Sequence, residues 1–165
     1  MNILKDLTQT KAELLAAITA IDEQKFNTVP FEGSWTAAQV SEHLQEAIGA
    51  DVLYAETKSA DRQADEKVNA ISDVFLNFEV KYQSPDFIIP ANHPHSKSAM
   101  LAILDSAFNK LIAVADTLDL SEICLEFEIP GFGTFTRLEF LWFFNVHTIR
   151  HTRQLKNIAV ALAKV

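Results

Sequence analysis

"TRLEFLWFFNVHTIRHTRQLKNIAVALA", residues 136 to 163, is the stretch whose reading decides the fold. Thr136 and Glu139 have the spacing of a capping box, in which the hydroxyl accepts from the third helical amide and the carboxylate from the amide of the cap itself. The pattern predicts a helix that opens after Thr136 and runs to about Ala163. Phe140, Trp142, Phe143 and Phe144 cover more than one face of that helix. This exceeds what a single core stripe requires and points to a site wall or a subunit contact. His147 and His151 stand four residues apart on one face, so their imidazoles can reach a common point.

Outward from this helix, the same periodicity recurs. Leu4, Leu7, Leu14, Leu15, Ile18 and Ile21 form a helical stripe from Ile3 to about Asn27, and Pro30 ends it. Thr36 and Gln39 make another capping box, followed by Val40, Leu44, Ala47 and Ile48, which predicts a second helix to about Lys58. The polar segment 59–66 reads as a loop. Val68, Ile71, Phe75 and Phe78 then suggest a short connecting helix. Three prolines within residues 82–96 mark an irregular crossover. Ser96 or Ser98 caps a third long helix, striped by Leu101, Leu104, Phe108, Leu111, Ala115 and Leu118. Residues 123–136 alternate Ile123, Leu125, Phe127 and Ile129 with other groups, as in a small hairpin or an extended loop. The expected fold is all-α: a four-helix bundle with a long crossover between the second and third long helices and a short extended or hairpin segment before the fourth. One domain over 1–165 is expected.

Composition narrows the function. The 165 residues are 48% hydrophobic and 22% charged, with 4 Gly and 5 Pro, a globular rather than disordered mixture. A chain of this size removes about two thirds of its unfolded surface from water on folding. A net charge of -8 opposes phosphate backbones and anionic lipids, so neither nucleic acid nor a membrane is an expected partner. The N-terminal residues lack the pattern of a signal peptide, and no apolar run approaches the length needed to cross a bilayer. The lone Cys124 cannot form an internal disulfide. Together these features imply a cytoplasmic protein. Cys124 reads as a small buried side chain, since nothing nearby in sequence lowers its pKa.

Two histidines do not make a metal site. The natural third is His43, well inside the second helix, because facing helices of a bundle can bring side chains together around an ion. Three neutral imidazoles suit a divalent transition metal, Zn or Ni foremost, with Fe or Mn as alternatives, and leave positions for water or substrate. "HTIRH" is not the zinc-peptidase motif, since Thr148 stands where that motif has its glutamate. Glu46 and Gln154 are spaced to orient a ligand imidazole. Trp35 reads as a staple of the helix start. His93 and His95, in the "NHPH" of residues 92–95, read as loop histidines outside the metal set.

"GSWTAAQVSEHL", residues 33–44, resembles the Trp-Ser/Thr start and downstream His-Leu of the DinB-like superfamily. "EFLWFFNVHTIRHTRQL", residues 139–155, resembles its closing helix with His-x-x-x-His, and "GFGTFTRLEF" its approach to that helix. The resemblance implies a four-helix bundle, often dimeric, with His43, His147 and His151 as ligands of a divalent metal. Some members are thiol-dependent S-transferases or isomerases. Thiol transfer to a small-molecule substrate, with a low-molecular-weight thiol as cosubstrate, is therefore the leading expectation, and Arg150 and Arg153 are candidates to hold carboxylates of the thiol. The alternatives are hydrolysis by a metal-activated water and a bundle that binds metal or a small ligand without turnover.

Overall fold

The computed structural model describes residues 1–164. Its helices are α1 (Ile3–Thr19), α2 (Ala37–Ala47), α3 (Val68–Phe75), α4 (Lys97–Thr117) and α5 (Arg137–Leu162), with a two-stranded ribbon of β1 (Thr57–Lys58) and β2 (Ile123–Cys124). α1 packs against α4 and α5, and α2 against the same two, which closes a four-helix bundle; the short α3 lies on α5. The fold is thus the all-α bundle expected, with its long crossover between α2 and α4. Leu7, Leu14 and Ile18 of α1 meet Val40 and Leu44 of α2, Leu104, Phe108 and Leu111 of α4, and Phe140, Leu155 and Ile158 of α5 in one buried core. Each such large side chain taken from water contributes about 1.5–3 kcal/mol before the entropy of ordering it is subtracted.

Local chemistry sets the helix starts. Thr36 Oγ1 accepts from Gln39 N at 3.1 Å while Gln39 Oε1 accepts from Thr36 N at 3.0 Å. Thr136 and Glu139 repeat the arrangement at 3.1 and 2.9 Å, and Ser96 caps α4. The helix ends differ from expectation. α1 stops at Thr19, because Asp22 caps a separate 3-10 turn over Glu23–Lys25 that delivers Phe26 into the core. α2 stops at Ala47 rather than near Lys58. Ile48 caps it and Gly49, a poor helix former, comes next, and Ala50–Leu53 rewind as a 3-10 turn that buries Leu53. The chain is then free to extend, and Thr57 pairs with Cys124 and Lys58 with Ile123 in antiparallel register.

Residues 123–136 are partly a hairpin. Ile123 bridges Thr136 and Ile129 bridges Gly133, with Gly131 and Gly133 at φ +84° and +70° where a side chain would be strained. The main ladder, however, runs to β1. The period-two alternation fails midway, since Leu125 and Phe127 are exposed while Cys124 is buried. α4 has the length and mean hydropathy, 1.4, of a bilayer-crossing helix, unlike the sequence expectation, because Asp105 and Lys110 interrupt the apolar residues without lowering their average far enough. In the bundle, Met100, Leu104, Phe108, Leu111 and Val114 form its buried face.

Candidate metal centre and cavity

The capping box at Thr36 starts α2 two turns before His43, and the box at Thr136 starts α5 three turns before His147. Packing of α2 on α5 then brings three imidazoles together. His43 Nε2 lies 3.3 Å from His147 Nε2, and His151 Nε2 lies 3.1 Å from the same atom. His43 and His147 are buried and His151 is partly buried.

The outer nitrogens decide which way the lone pairs face. His43 Nδ1 donates to the Ile88 carbonyl at 2.8 Å, and His151 Nδ1 donates to Gln154 Oε1 at 2.8 Å. Each bond leaves the Nε2 of its neutral ring bare. His147 Nδ1 is buried and has no hydrogen-bond partner among the described residues. Between three converging Nε2 atoms, only His147 can then supply a proton. One proton cannot make two good N–H···N bonds at these distances, so lone pairs are pressed together unless a cation lies among them. The spacing suits that role. With metal–nitrogen bonds of about 2.0–2.1 Å, neighbouring ligand nitrogens are about 2.9 Å apart in octahedral and about 3.3 Å apart in tetrahedral geometry.

Electrostatics keep the rings neutral. Burial pushes His43 down, against the stabilising bond to Ile88. Burial pushes His147 well down, helped by the neighbouring His151, His43 and Arg150. His151 is pushed down to about 3, mainly by burial. Neutral imidazoles are the protonation state a metal requires, and these three could hold a divalent ion. Aromatic rings wall the cluster. Phe143 stacks on His147 at 5.6 Å and 14°, Phe75 meets His147 edge-on, and Trp35 packs 5.2 Å from His43. Trp35 therefore touches a candidate ligand beyond stapling the helix.

The cluster opens on a cavity of about 680 Å³. Phe75, Phe87, Phe127, Phe132, Phe143 and Phe144 supply much of its apolar wall, so the surplus aromatics of α5 are in large part a site wall. Trp142 instead packs toward α3, its Nε1 donating to Ser72 Oγ at 2.8 Å. Glu46, Asp51 and Glu126 are the lining acids. Glu46 does not orient a ligand ring; it faces the cavity, its pKa raised by desolvation and by Glu42. Arg150 is not free for a carboxylate. Its guanidinium donates to the carbonyls of Phe75, Asn77 and Val80 and lies over the Tyr82 ring, which holds the segment after α3 against α5. Arg153 packs over Phe78 at 4.7 Å.

Cys124 is buried, and desolvation pushes its thiol up to about 11, far from a nucleophile at neutral pH. His93 and His95 lie against Glu42 rather than in the trihistidine cluster. The capping box marked Glu139 in the sequence, but nothing there showed that its buried carboxylate also accepts from both arms of Arg62 at 2.7 Å and from Lys67 N at 2.8 Å. That network ties residues 62–67 to the start of α5. Ile88, whose carbonyl orients His43, was equally hidden, since a backbone acceptor carries no side-chain signature.

Comparison with curated proteins and with solved structures yields no match. The model of the DinB superfamily matches residues 6–155, a span that runs from the first turn of α1 through His43, His147, His151 and Gln154. With that match over most of its length and a four-helix bundle that gathers the three histidines, the chain belongs to the DinB superfamily.

Proposed function

We propose that this chain is a divalent-metal-dependent enzyme in which His43, His147 and His151 are the ligands, and that it joins a low-molecular-weight thiol, through its sulfur, to an apolar small-molecule electrophile. The observation that carries the reading is the junction of three neutral, inward-facing Nε2 atoms with a large aromatic-walled cavity. Zn or Ni fits the all-nitrogen donor set best, and the metal when bound supplies the Lewis acidity that makes a thiol nucleophilic at neutral pH.

The chain's own residues do the rest. Ile88 and Gln154 hold the His43 and His151 rings in the tautomer that presents Nε2. The phenylalanine walls take up the apolar electrophile and exclude water that would compete with the thiol. Glu46, exposed at the lining of the same cavity, accepts the thiol proton. In the transfer a sulfur–carbon bond forms, the bond from that carbon to its leaving group breaks, and the leaving group departs with the electron pair. The acid residues of the lining and the commitment of Arg150 to backbone carbonyls favour a thiol without several carboxylates. Hydrolysis of an apolar ester or amide is the second reading. Glu46 favours it, since the same carboxylate could take a proton from water.

The test uses metal-loaded full-length protein with a panel of activated aryl and alkyl electrophiles, with and without thiol. Thiol-dependent turnover that is lost on chelation and in a His147→Ala, His151→Ala variant is the expected result. Turnover of esters without thiol selects hydrolysis. A cobalt-loaded protein whose absorption spectrum is unmoved by saturating thiol overturns the thiol reading.

A further inference from the structure

The "NHPH" segment of the crossover brings together potential metal ligands that stand apart from the trihistidine cluster. His93 and His95 flank Pro94, and both rings face Glu42 of α2. There they meet Glu42. His95 Nε2 lies 3.0 Å from Glu42 Oε2, and His93 Nε2 lies 3.8 Å from Glu42 Oε1. The two rings sit 4.3 Å apart, and the three potential donor atoms lie within 4.8 Å of one another. Glu42 immediately precedes His43, so successive helical residues face different partners: one the crossover, the other α5.

Three features mark this as more than a surface ion pair. His95 Nε2 is buried and makes no hydrogen bond among the described residues, although a carboxylate oxygen lies 3.0 Å away, so the angle is wrong for a bond but the distance suits two ligands of one ion. His93 Nδ1 approaches the Pro94 carbonyl at 3.4 Å, which turns its Nε2 toward Glu42. The backbone is anchored independently: Asn27 Oδ1 accepts from His95 N at 2.8 Å, Asn27 Nδ2 donates to His95 O at 2.9 Å, and Ala91 N donates to Glu42 Oε2 at 3.0 Å. The donors are thus positioned before any ion arrives.

We propose that Glu42, His93 and His95 form a second divalent-metal site, distinct from the trihistidine cluster, that fastens the crossover to α2. Two imidazoles and a carboxylate are a donor set for Zn and similar borderline ions, with a further position open to water. The site bears on the first because the same crossover supplies Ile88, whose carbonyl holds His43 Nδ1. An ion at Glu42 therefore restrains the strap that orients a ligand of the other centre.

The experiment is a titration of the chelator-treated full chain with Zn²⁺, followed by metal analysis after gel filtration. Wild type should retain two equivalents, a His93→Ala, His95→Ala variant one, and a His147→Ala, His151→Ala variant one. Glu42→Gln, which keeps an acceptor for Ala91 N, should also lose one equivalent while its far-UV circular dichroism matches wild type. With Cu²⁺ in the His147→Ala, His151→Ala protein, the paramagnetic resonance spectrum should show coupling to two nitrogens. The second site is overturned if the His93→Ala, His95→Ala variant retains as much metal as wild type. It is equally overturned if gel filtration strips wild type to a single equivalent that only the His147→Ala, His151→Ala variant loses. A single equivalent lost only with His93 and His95 would sustain this site and remove the trihistidine one.

Discussion

Acid should unfold the metal-free protein through its buried imidazoles, and the size of the effect follows from their burial. His151 is held at about 3 in the folded chain, against about 6.5 in the unfolded one. A base whose folded pKa is depressed binds more protons when unfolded, so its contribution is full above about pH 6.5 and falls as pH drops toward the folded value. At pH 5 the unfolded ring is almost fully protonated and the folded ring almost not, a difference of about 1.5 pH units or about 2 kcal/mol. His147 is depressed by the same cause, burial first, and works in the same direction. The expected loss between pH 8 and pH 5 is therefore at least the about 2 kcal/mol of His151 alone, a sizeable part of the stability of an ordinary domain. Urea denaturation of chelator-treated protein at pH 8, 7, 6 and 5 measures it. A His147→Leu, His151→Leu variant should lose most of that slope, and subtracting the two series removes the carboxylates that titrate in both. Zinc at a hundred times its dissociation constant should add about 2.7 kcal/mol at pH 8 and progressively less toward pH 5, as protons compete for the same nitrogens. A metal-free protein equally stable at pH 8 and pH 5, or a slope unchanged in the variant, would refute the reasoning.

Two other predictions rest on single contacts. Arg62→Met should destabilise the fold by about 3–5 kcal/mol by denaturant titration, because it leaves the carboxylate of Glu139 buried without its bidentate partner. Adding Glu139→Gln should recover part of the loss, and a cost below about 1 kcal/mol for Arg62→Met would show the pair to be solvent-screened. Gln154→Leu releases His151 Nδ1 and should weaken zinc binding about 10- to 100-fold in a chelator competition with little change in the apo protein. Unchanged affinity would mean that Gln154 does not set the tautomer.

What could be read from the residues alone was local. The capping boxes at Thr36 and Thr136 act over three residues, the pairing of His147 with His151 over one helical turn, and the stripes over a few turns, so each is visible in the order of side chains. The ends of α1 and α2 were read too far, because apolar spacing continues past Thr19 and Ala47 into 3-10 turns that bury Phe26 and Leu53 in other orientations. Gly49 was the available signal for the second of these.

The sequence by itself determined the helices, the bundle they must form to hide their stripes, and the two imidazoles on one turn of the last helix. Tertiary structure alone decided that His43 meets them across 104 residues, that Ile88 turns its ring, that the aromatic surplus encloses a cavity, and that Glu42 faces His93 and His95 while its neighbour faces the bundle. The division has a physical cause. Helical periodicity repeats every few residues and is written into neighbouring side chains, whereas a contact across the chain depends on the path of every loop between its partners, which prolines and glycines bend but do not aim.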